Sequence, residues 1–139
     1  MKKRNEMDDF KIVVLGLVYD PEKKKILIGR RESDPNVPKL RWTPPGGRVA
    51  HGEDLEMVLK AKIKEQTGLS VENLGNIFSM IPEEKKDFVL ILHLCEVVSG
   101  KEKVGGNIKE IKWVSPTDLD KYFTVAYHPH LREYISNLK

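Results

Sequence analysis

The stretch that decides the fold runs from Gly46-Gly-Arg-Val-Ala-His-Gly-Glu53, through a helical run, to Glu65-Gln-Thr-Gly-Leu69. Its glycines tolerate unusual backbone angles and let another backbone or a phosphate approach closely. Asp54 is a suitable N-cap for a helix, and Gly68 is a suitable residue at its C-terminal stop. The stretch therefore predicts a loop, a helix and a second loop in direct succession.

The two sides of this predicted helix differ in chemistry. Apolar residues recur at helical spacing on one side, at Leu55, Val58, Leu59 and Ile63. Polar residues lie on the opposite side, at Lys62, Glu65 and Gln66. Their spacing of three and four residues brings them together on a helix. The sequence thus predicts one side that faces a core and one polar side.

The rest of the chain alternates β-branched apolar runs with turn residues. Strands are predicted at 11–19, 25–30, 87–98 and 108–114. One or two short strands are predicted in 70–82, with a break at the turn residues Gly75 and Asn76. The first two should form a hairpin, and the strand at 87–98 is too uniformly apolar for an exposed edge. A flexible loop is expected near 100–107, a helix opening at 115–119 and a terminal helix at 131–138. This order predicts an α/β domain in which helices cover a mixed sheet.

Composition narrows the classes of function. The chain has 139 residues, 40% hydrophobic and 32% charged, which is typical of one globular domain. A net charge of +3 from 24 basic and 21 acidic residues is a mixed surface and does not favour nucleic-acid binding. The single cysteine, Cys95, lies in an apolar run and is expected to be buried. No signal peptide or membrane-length apolar run is evident, so we expect a cytoplasmic protein.

The central stretch resembles the Nudix box, in which Gly, five residues, Glu and seven residues precede Arg-Glu-hydrophobic-x-Glu-Glu-x-Gly-hydrophobic. Six positions fall on this pattern without a gap: Gly47, Glu53, Ile63, Glu65, Gly68 and Leu69. The resemblance covers nearly the whole chain. It implies a Nudix-type α/β/α sandwich, a mixed β-sheet flanked by helices. Length and composition predict residues 1–139 as a single domain, and the basic N-terminus predicts a flexible tail at 1–9.

Residues 42–47 are similar to the usual lead-in to the box, except that Pro44 stands where the family has a bulky apolar residue. Three positions within the box also depart from the pattern: Ala61, Lys62 and Gln66. Lys62 and Gln66 stand where the family has two of its three helix carboxylates. The resemblance implies Mg²⁺ or Mn²⁺ as the cofactor, here weakly bound or carried in by substrate. Its ligands would be Glu65, the Gly46 carbonyl and Glu53.

The resemblance also implies roles beyond the metal. Catalytic roles would fall to Glu65 and Glu53, with an accessory carboxylate at Glu110 or Glu102. The residues expected to bind substrate are Lys62, Arg48, Arg31 and Gln66. A lysine on this helix repels a dication at short range but can bind phosphate as a point charge. For Arg31, a solvated charged strand end is the alternative to phosphate contact.

Three hypotheses from different classes follow. The first is a Nudix pyrophosphohydrolase of a nucleoside diphosphate linked to another group, weak or atypical because two of the three carboxylates are replaced. The second is a domain that binds a nucleotide or another diphosphate-containing small molecule and has lost catalysis. The third is an interaction scaffold. A homodimer is compatible with all three.

Overall fold

The computed structural model of the chain describes residues 10–31, 42–81, 86–122, 133 and 137. Seven strands form one sheet: β1 Lys11–Asp20, β2 Lys25–Arg31, β3 Trp42–Thr43, β4 Gly46–Val49, β5 Leu69–Met80, β6 Phe88–Gly100 and β7 Ile108–Val114. The helix α1 spans Leu55–Thr67, and a 3₁₀-helix spans Pro116–Lys121. The predicted α/β class with a mixed sheet is confirmed.

The sheet is mixed because β1 pairs in parallel with β6, whereas every other pairing is antiparallel. The main strand order is β3-β2-β1-β6-β5, with β4 paired to β1 and β7 paired to β2. β6 therefore lies inside the sheet, as its apolar sequence predicted. The predicted hairpin of β1 and β2 is also confirmed, with Val18 opposite Leu27.

The strands β1 and β2 separate along their length, and this separation positions the site. β2 pairs with the last residues of β1, from Val18 to Asp20, while β4 pairs with Ile12 to Leu15 of the same strand. Beyond Leu27, β2 no longer pairs with β1 and pairs instead with the short strand β3, at Gly29 and Arg30. On its other edge β2 pairs with β7 from Ile26 to Arg31. The start of β1, the end of β2 and the glycine strand β4 therefore surround an opening in the sheet.

Apolar side chains pack on both faces of the sheet. On one face Leu59 and Ile63 of α1 are fully buried against Val14 and Val18 of β1. On the other face a second group includes Leu17, Ile28 and the 3₁₀-helix residue Leu119, also fully buried. Burial of one such aliphatic side chain contributes about 1.5–3 kcal/mol to folding, so both layers stabilise the sheet.

The helix α1 begins and ends where the sequence predicted. The Asp54 carboxylate accepts a hydrogen bond of 3.0 Å from the Met57 amide, as an N-cap should. Gly68 has a left-handed φ of 79°, and its amide donates to the Lys64 carbonyl. Leu55, predicted to face the core, is instead 39% exposed because it lies at the open first turn. Gln66, predicted to lie on the polar side, is only 5% exposed.

Two other expectations, for residues 70–82 and for residues 115–119, differ from the structure. Residues 70–82 were expected to form one or two short strands, but β5 is a single strand of 12 residues, Leu69–Met80. Its expected breaks at Gly75 and Asn76 are register shifts against β6, because continuous pairing with that long strand outweighs local turn preference. The helix opening at 115–119 is a 3₁₀-helix of six residues.

The loop after β6, expected to be flexible, is hydrogen-bonded to the end of α1. The Lys103 amide donates to the Thr67 carbonyl at 2.9 Å, and the Gly105 amide donates to the Gln66 carbonyl at 3.2 Å. These bonds satisfy helix carbonyls that have no partner within the helix. The predicted tail at 1–9 and the predicted terminal helix at 131–138 lie outside the described residues, apart from isolated positions. In the described part of the chain, α1 is too short and too polar to cross a bilayer, and no other helix could do so.

Candidate functional site

A cleft of about 450 Å³ lies where β1 and β2 separate, beside the last turns of α1. Its described lining comprises three cationic side chains, one carboxylate, two amides, two glycines and two apolar residues: Arg31, Arg48, Lys62, Glu65, Gln66, Asn107, Gly46, Gly47, Val13 and Phe88. Six of the predicted site residues are thus brought together: Gly46, Arg48, Arg31, Lys62, Glu65 and Gln66. The lining is polar and positively charged on balance, which suits an anionic ligand.

The two glycines at the cleft lie in close contact with their neighbours, and at Gly46 only glycine fits. A Cβ atom on Gly46 would lie 2.0 Å from the Val14 carbonyl oxygen, so no side chain fits there. A Cβ atom on Gly47 would lie 3.0 Å from the methylene stem of Lys62. The glycine strand therefore lies directly against both β1 and α1 and presents main-chain groups to the cleft.

The Gln66 amide pairs with both main-chain groups of Gly46. Gln66 Oε1 accepts from the Gly46 amide at 3.0 Å, and Gln66 Nε2 donates to the Gly46 carbonyl at 2.9 Å. The same Nε2 lies 3.4 Å from Asn107 Oδ1 and donates to it. A buried amide that is satisfied in this way fixes the distance between α1 and β4.

Lys62 and Glu65 form an ion pair one turn away, at the mouth of the cleft. Lys62 Nζ lies 3.5 Å from Glu65 Oε2, and the two side chains are 42% and 54% exposed. A surface pair of this kind contributes little to folding, since water competes with it. Both charged groups can therefore be redirected toward a ligand at small cost.

Asn107 is a cleft residue that the sequence did not single out as functional. It follows Gly105 and Gly106 at the end of the loop that the sequence predicts near 100–107. A Cβ atom on Gly105 would lie 2.3 Å from the Glu65 carbonyl oxygen, so the loop approaches α1 only because glycine is present. The pair of glycines before Asn107 was the sequence signal that could have indicated a functional residue. Its hydrogen-bond partner, Gln66, lies 41 positions earlier in the chain.

The other predicted carboxylates do not line this cleft. Glu53 Oε1 accepts from the Ala50 amide at 2.7 Å and closes the loop before α1. Glu110 Oε1 accepts from Arg30 Nε at 3.0 Å across the β2–β7 pairing, and Glu102 accepts from the Trp113 indole. Among the described residues, Glu65 is the one carboxylate in the lining.

Two titratable side chains on β6 lie away from the cleft. Burial lowers the pKa of His93, an effect that Glu56 partly opposes. Burial likewise raises the pKa of the Cys95 thiol to about 12. Cys95 is fully buried, as expected from its apolar surroundings, so it is poorly placed to act as a nucleophile.

The donor groups at the cleft do not fit the divalent-metal site that the resemblance implied. Mg²⁺ takes oxygen ligands with carboxylate charge. Within the ranges that the structure describes, no group of three or more Asp, Glu, His or Cys side chains converges. Glu65 is the one carboxylate among the described lining residues, and the Lys62 ammonium 3.5 Å from it would repel a dication. One lone pair of the Gly46 carbonyl already accepts from Gln66.

Comparison with known proteins identifies the class. The family model described as NUDIX domain matches residues 9–135, so this chain belongs to the Nudix family. The chain is 32% identical over 100 residues to a protein named ADP-ribose pyrophosphatase from Methanocaldococcus jannaschii. That alignment covers 70% of this chain and 58% of the relative, so the chain spans little more than half of the relative's length.

Solved structures agree on the fold. A NUDIX hydrolase from Nitrosomonas europaea superimposes with a TM-score of 0.71 at 16% identity, covering 94% of this chain and 92% of that one. A MutT protein from Methanosarcina mazei Go1 superimposes with a TM-score of 0.70 at 22% identity, covering 97% of this chain and 96% of that one. At these identities the likeness establishes the Nudix fold alone and does not indicate the substrate.

Proposed function

We propose that this chain binds a nucleoside diphosphate linked to another group in the cleft and has lost efficient hydrolysis of it. The observation that carries this proposal is the pairing of Gln66 with both main-chain groups of Gly46. That pairing uses the loop carbonyl that the family resemblance assigns to a metal ligand. The charge of the lining supports ligand binding, while the donor set does not support a bound dication.

Three positively charged side chains provide the phosphate contacts in this proposal. Lys62 supplies a compact ammonium on α1, and Arg48 supplies a guanidinium suited to two phosphate oxygens at once. Arg31 lines the cleft from the end of β2. Gly47 lets the methylene stem of Lys62 lie close to the main chain, because it has no side chain. Val13 and Phe88 add apolar surface for the remainder of the ligand.

A second candidate function is a weak pyrophosphohydrolase, and two observations favour it. The relative that is 32% identical carries the name ADP-ribose pyrophosphatase. Glu65, the carboxylate that the box retains, lies in the cleft lining and is 54% exposed. Both functions predict the same class of ligand, and they differ in turnover.

One experiment separates the two functions. Binding and product release would be measured with nucleoside triphosphates, dinucleoside polyphosphates, ADP-ribose and sugar nucleotides, in Mg²⁺, in Mn²⁺ and in chelator. The variants are Glu65→Gln and the double change Lys62→Glu plus Gln66→Glu, which restores the two missing helix carboxylates of the family pattern. We expect the native chain to bind without turnover and the double variant to gain metal-dependent turnover.

Two other results would change the conclusion. Metal-dependent turnover by the native chain that Glu65→Gln abolishes would establish the hydrolase. Absence of binding across the whole panel would favour the interaction scaffold instead.

A further inference from the structure

We infer that the Gln66 amide occupies the position of a cation between the Gly46 carbonyl and Asn107 Oδ1, so that the cleft binds its diphosphate ligand without a divalent metal ion. This inference rests on the proposed function and deepens it, because it specifies the form of the ligand that binds. A conventional metal-dependent site would instead require the ligand as its Mg²⁺ complex.

The geometry around Gln66 Nε2 carries the first step. Two oxygens face this nitrogen, the Gly46 carbonyl at 2.9 Å and Asn107 Oδ1 at 3.4 Å. An amide nitrogen carries two hydrogens and accepts no hydrogen bond, so it can donate one hydrogen to each oxygen. Both oxygens are then satisfied, as they would be by a bound cation. Gln66 is 5% exposed, and a dication placed between these two oxygens would displace Nε2 and break both hydrogen bonds that it donates. Buried polar groups that lose their partners are costly, which keeps the amide in place.

The charge of the lining carries the second step. Arg31, Arg48 and Lys62 contribute three positive charges, and Glu65 contributes one negative charge, a balance of +2 in the described lining. A diphosphate without metal is an anion that this balance attracts. A bound Mg²⁺ cancels much of that anionic charge and brings a dication near Lys62, where the two repel at short range. The lining therefore favours the metal-free ligand.

The direct test uses the native chain and ADP-ribose as the probe. Its Kd would be measured by calorimetry in chelator and again in excess Mg²⁺. We expect the Kd in chelator to be lower than the Kd in Mg²⁺, or to exceed it by no more than about twofold. Binding that appears only with Mg²⁺, or that tightens about tenfold or more with it, overturns this inference and leaves the proposed function standing. No binding of any panel ligand in either buffer overturns both.

A second test needs no ligand and uses the substitution Gln66→Glu. A carboxylate introduced at position 66 would face the Gly46 carbonyl and Asn107 Oδ1 without a donor between them. Three oxygen groups then converge on one point, which is the kind of set that binds Mg²⁺ or Mn²⁺. We expect this variant to melt below the native chain in chelator and to gain about 3–5 °C in Tm with Mn²⁺.

The matched control is Met57→Glu, which adds a carboxylate to the same helix at a side chain that is 72% exposed. Neither this control nor the native chain should gain Tm with Mn²⁺. A native chain that Mn²⁺ stabilises as much as it stabilises Gln66→Glu overturns the inference. If Gln66→Glu does not fold, the calorimetric comparison on the native chain decides the question alone.

Discussion

The two sides of α1 carry opposite kinds of constraint. On the core side, Leu59 and Ile63 are fully buried, and a Cβ atom on Gly16 would lie only 2.6 Å from Ile63 Cδ1. On the cleft side, Lys62 and Glu65 are about half exposed and form a 3.5 Å ion pair. Close packing tolerates little change in volume, whereas an exposed pair can change charge without disturbing the fold. This difference explains how the apolar framework of α1 is kept while the exposed position 62 carries a lysine. The buried position 66 changed differently, because its amide keeps hydrogen bonds to Gly46 and Asn107.

The largest expected effect comes from the core side. Replacing Ile63 by Ala should lower the free energy of unfolding by about 2–5 kcal/mol, because the removed methylene groups leave a cavity against β1. Urea denaturation followed by circular dichroism measures the loss. The control is Met57→Ala on the exposed part of α1, which should change stability by less than about 0.5 kcal/mol. Equal losses in the two variants would contradict the distinction between the sides.

An intermediate effect is expected on the cleft side, in ligand affinity and not in stability. Replacing Lys62 by Met keeps most of the methylene stem over Gly47 and removes the ammonium. We expect the affinity for ADP-ribose to fall about tenfold, because a charged hydrogen bond to phosphate is lost. The midpoint of urea denaturation should stay close to that of the native chain.

Lys60→Met is the matched control for that substitution. Lys60 also lies on α1, and its Nζ is 3.8 Å from Glu56 Oε2 in a comparable ion pair. It is absent from the described cleft lining. We expect Lys60→Met to leave affinity unchanged. A similar loss in both variants would mean that the overall charge of the helix attracts the ligand and that Lys62 makes no direct contact.

The smallest effect at neutral pH concerns Cys95, whose sulfur would lie 3.3 Å from a Cβ atom on Gly16 in the same core. Its pKa rises from 9.0 to about 12 because burial disfavours the thiolate. The unfolded chain releases this proton near pH 9, while the folded chain retains it until the pH approaches 12. Stability from this group is therefore complete below pH 9 and falls as the pH rises toward 12.

Thermal melts of the native chain and of Cys95→Ala between pH 7 and pH 11 test this expectation. The native Tm should decline more steeply than that of the variant above pH 9. Parallel curves would show that the thiol does not contribute to the pH dependence.

The sequence predicted the features that depend on neighbouring residues. Apolar, β-branched runs between turn residues located β1, β2, β6 and β7, and Asp54 and Gly68 marked both ends of α1. The spacing of glycines and glutamates was enough to identify the family, which the match over residues 9–135 establishes. It also identified six of the residues that line the cleft.

Tertiary structure alone decided how those residues are used. Gln66 pairs with Gly46, 20 positions earlier, and with Asn107, 41 positions later, so no local pattern contains the contact. Long-range pairing with β6 likewise makes β5 one strand where local turn residues predicted a break. Periodicity and capping are encoded over a few residues, because they follow from backbone geometry. The partner of a buried amide depends on where separate strands and loops come together, and only the packed fold defines that.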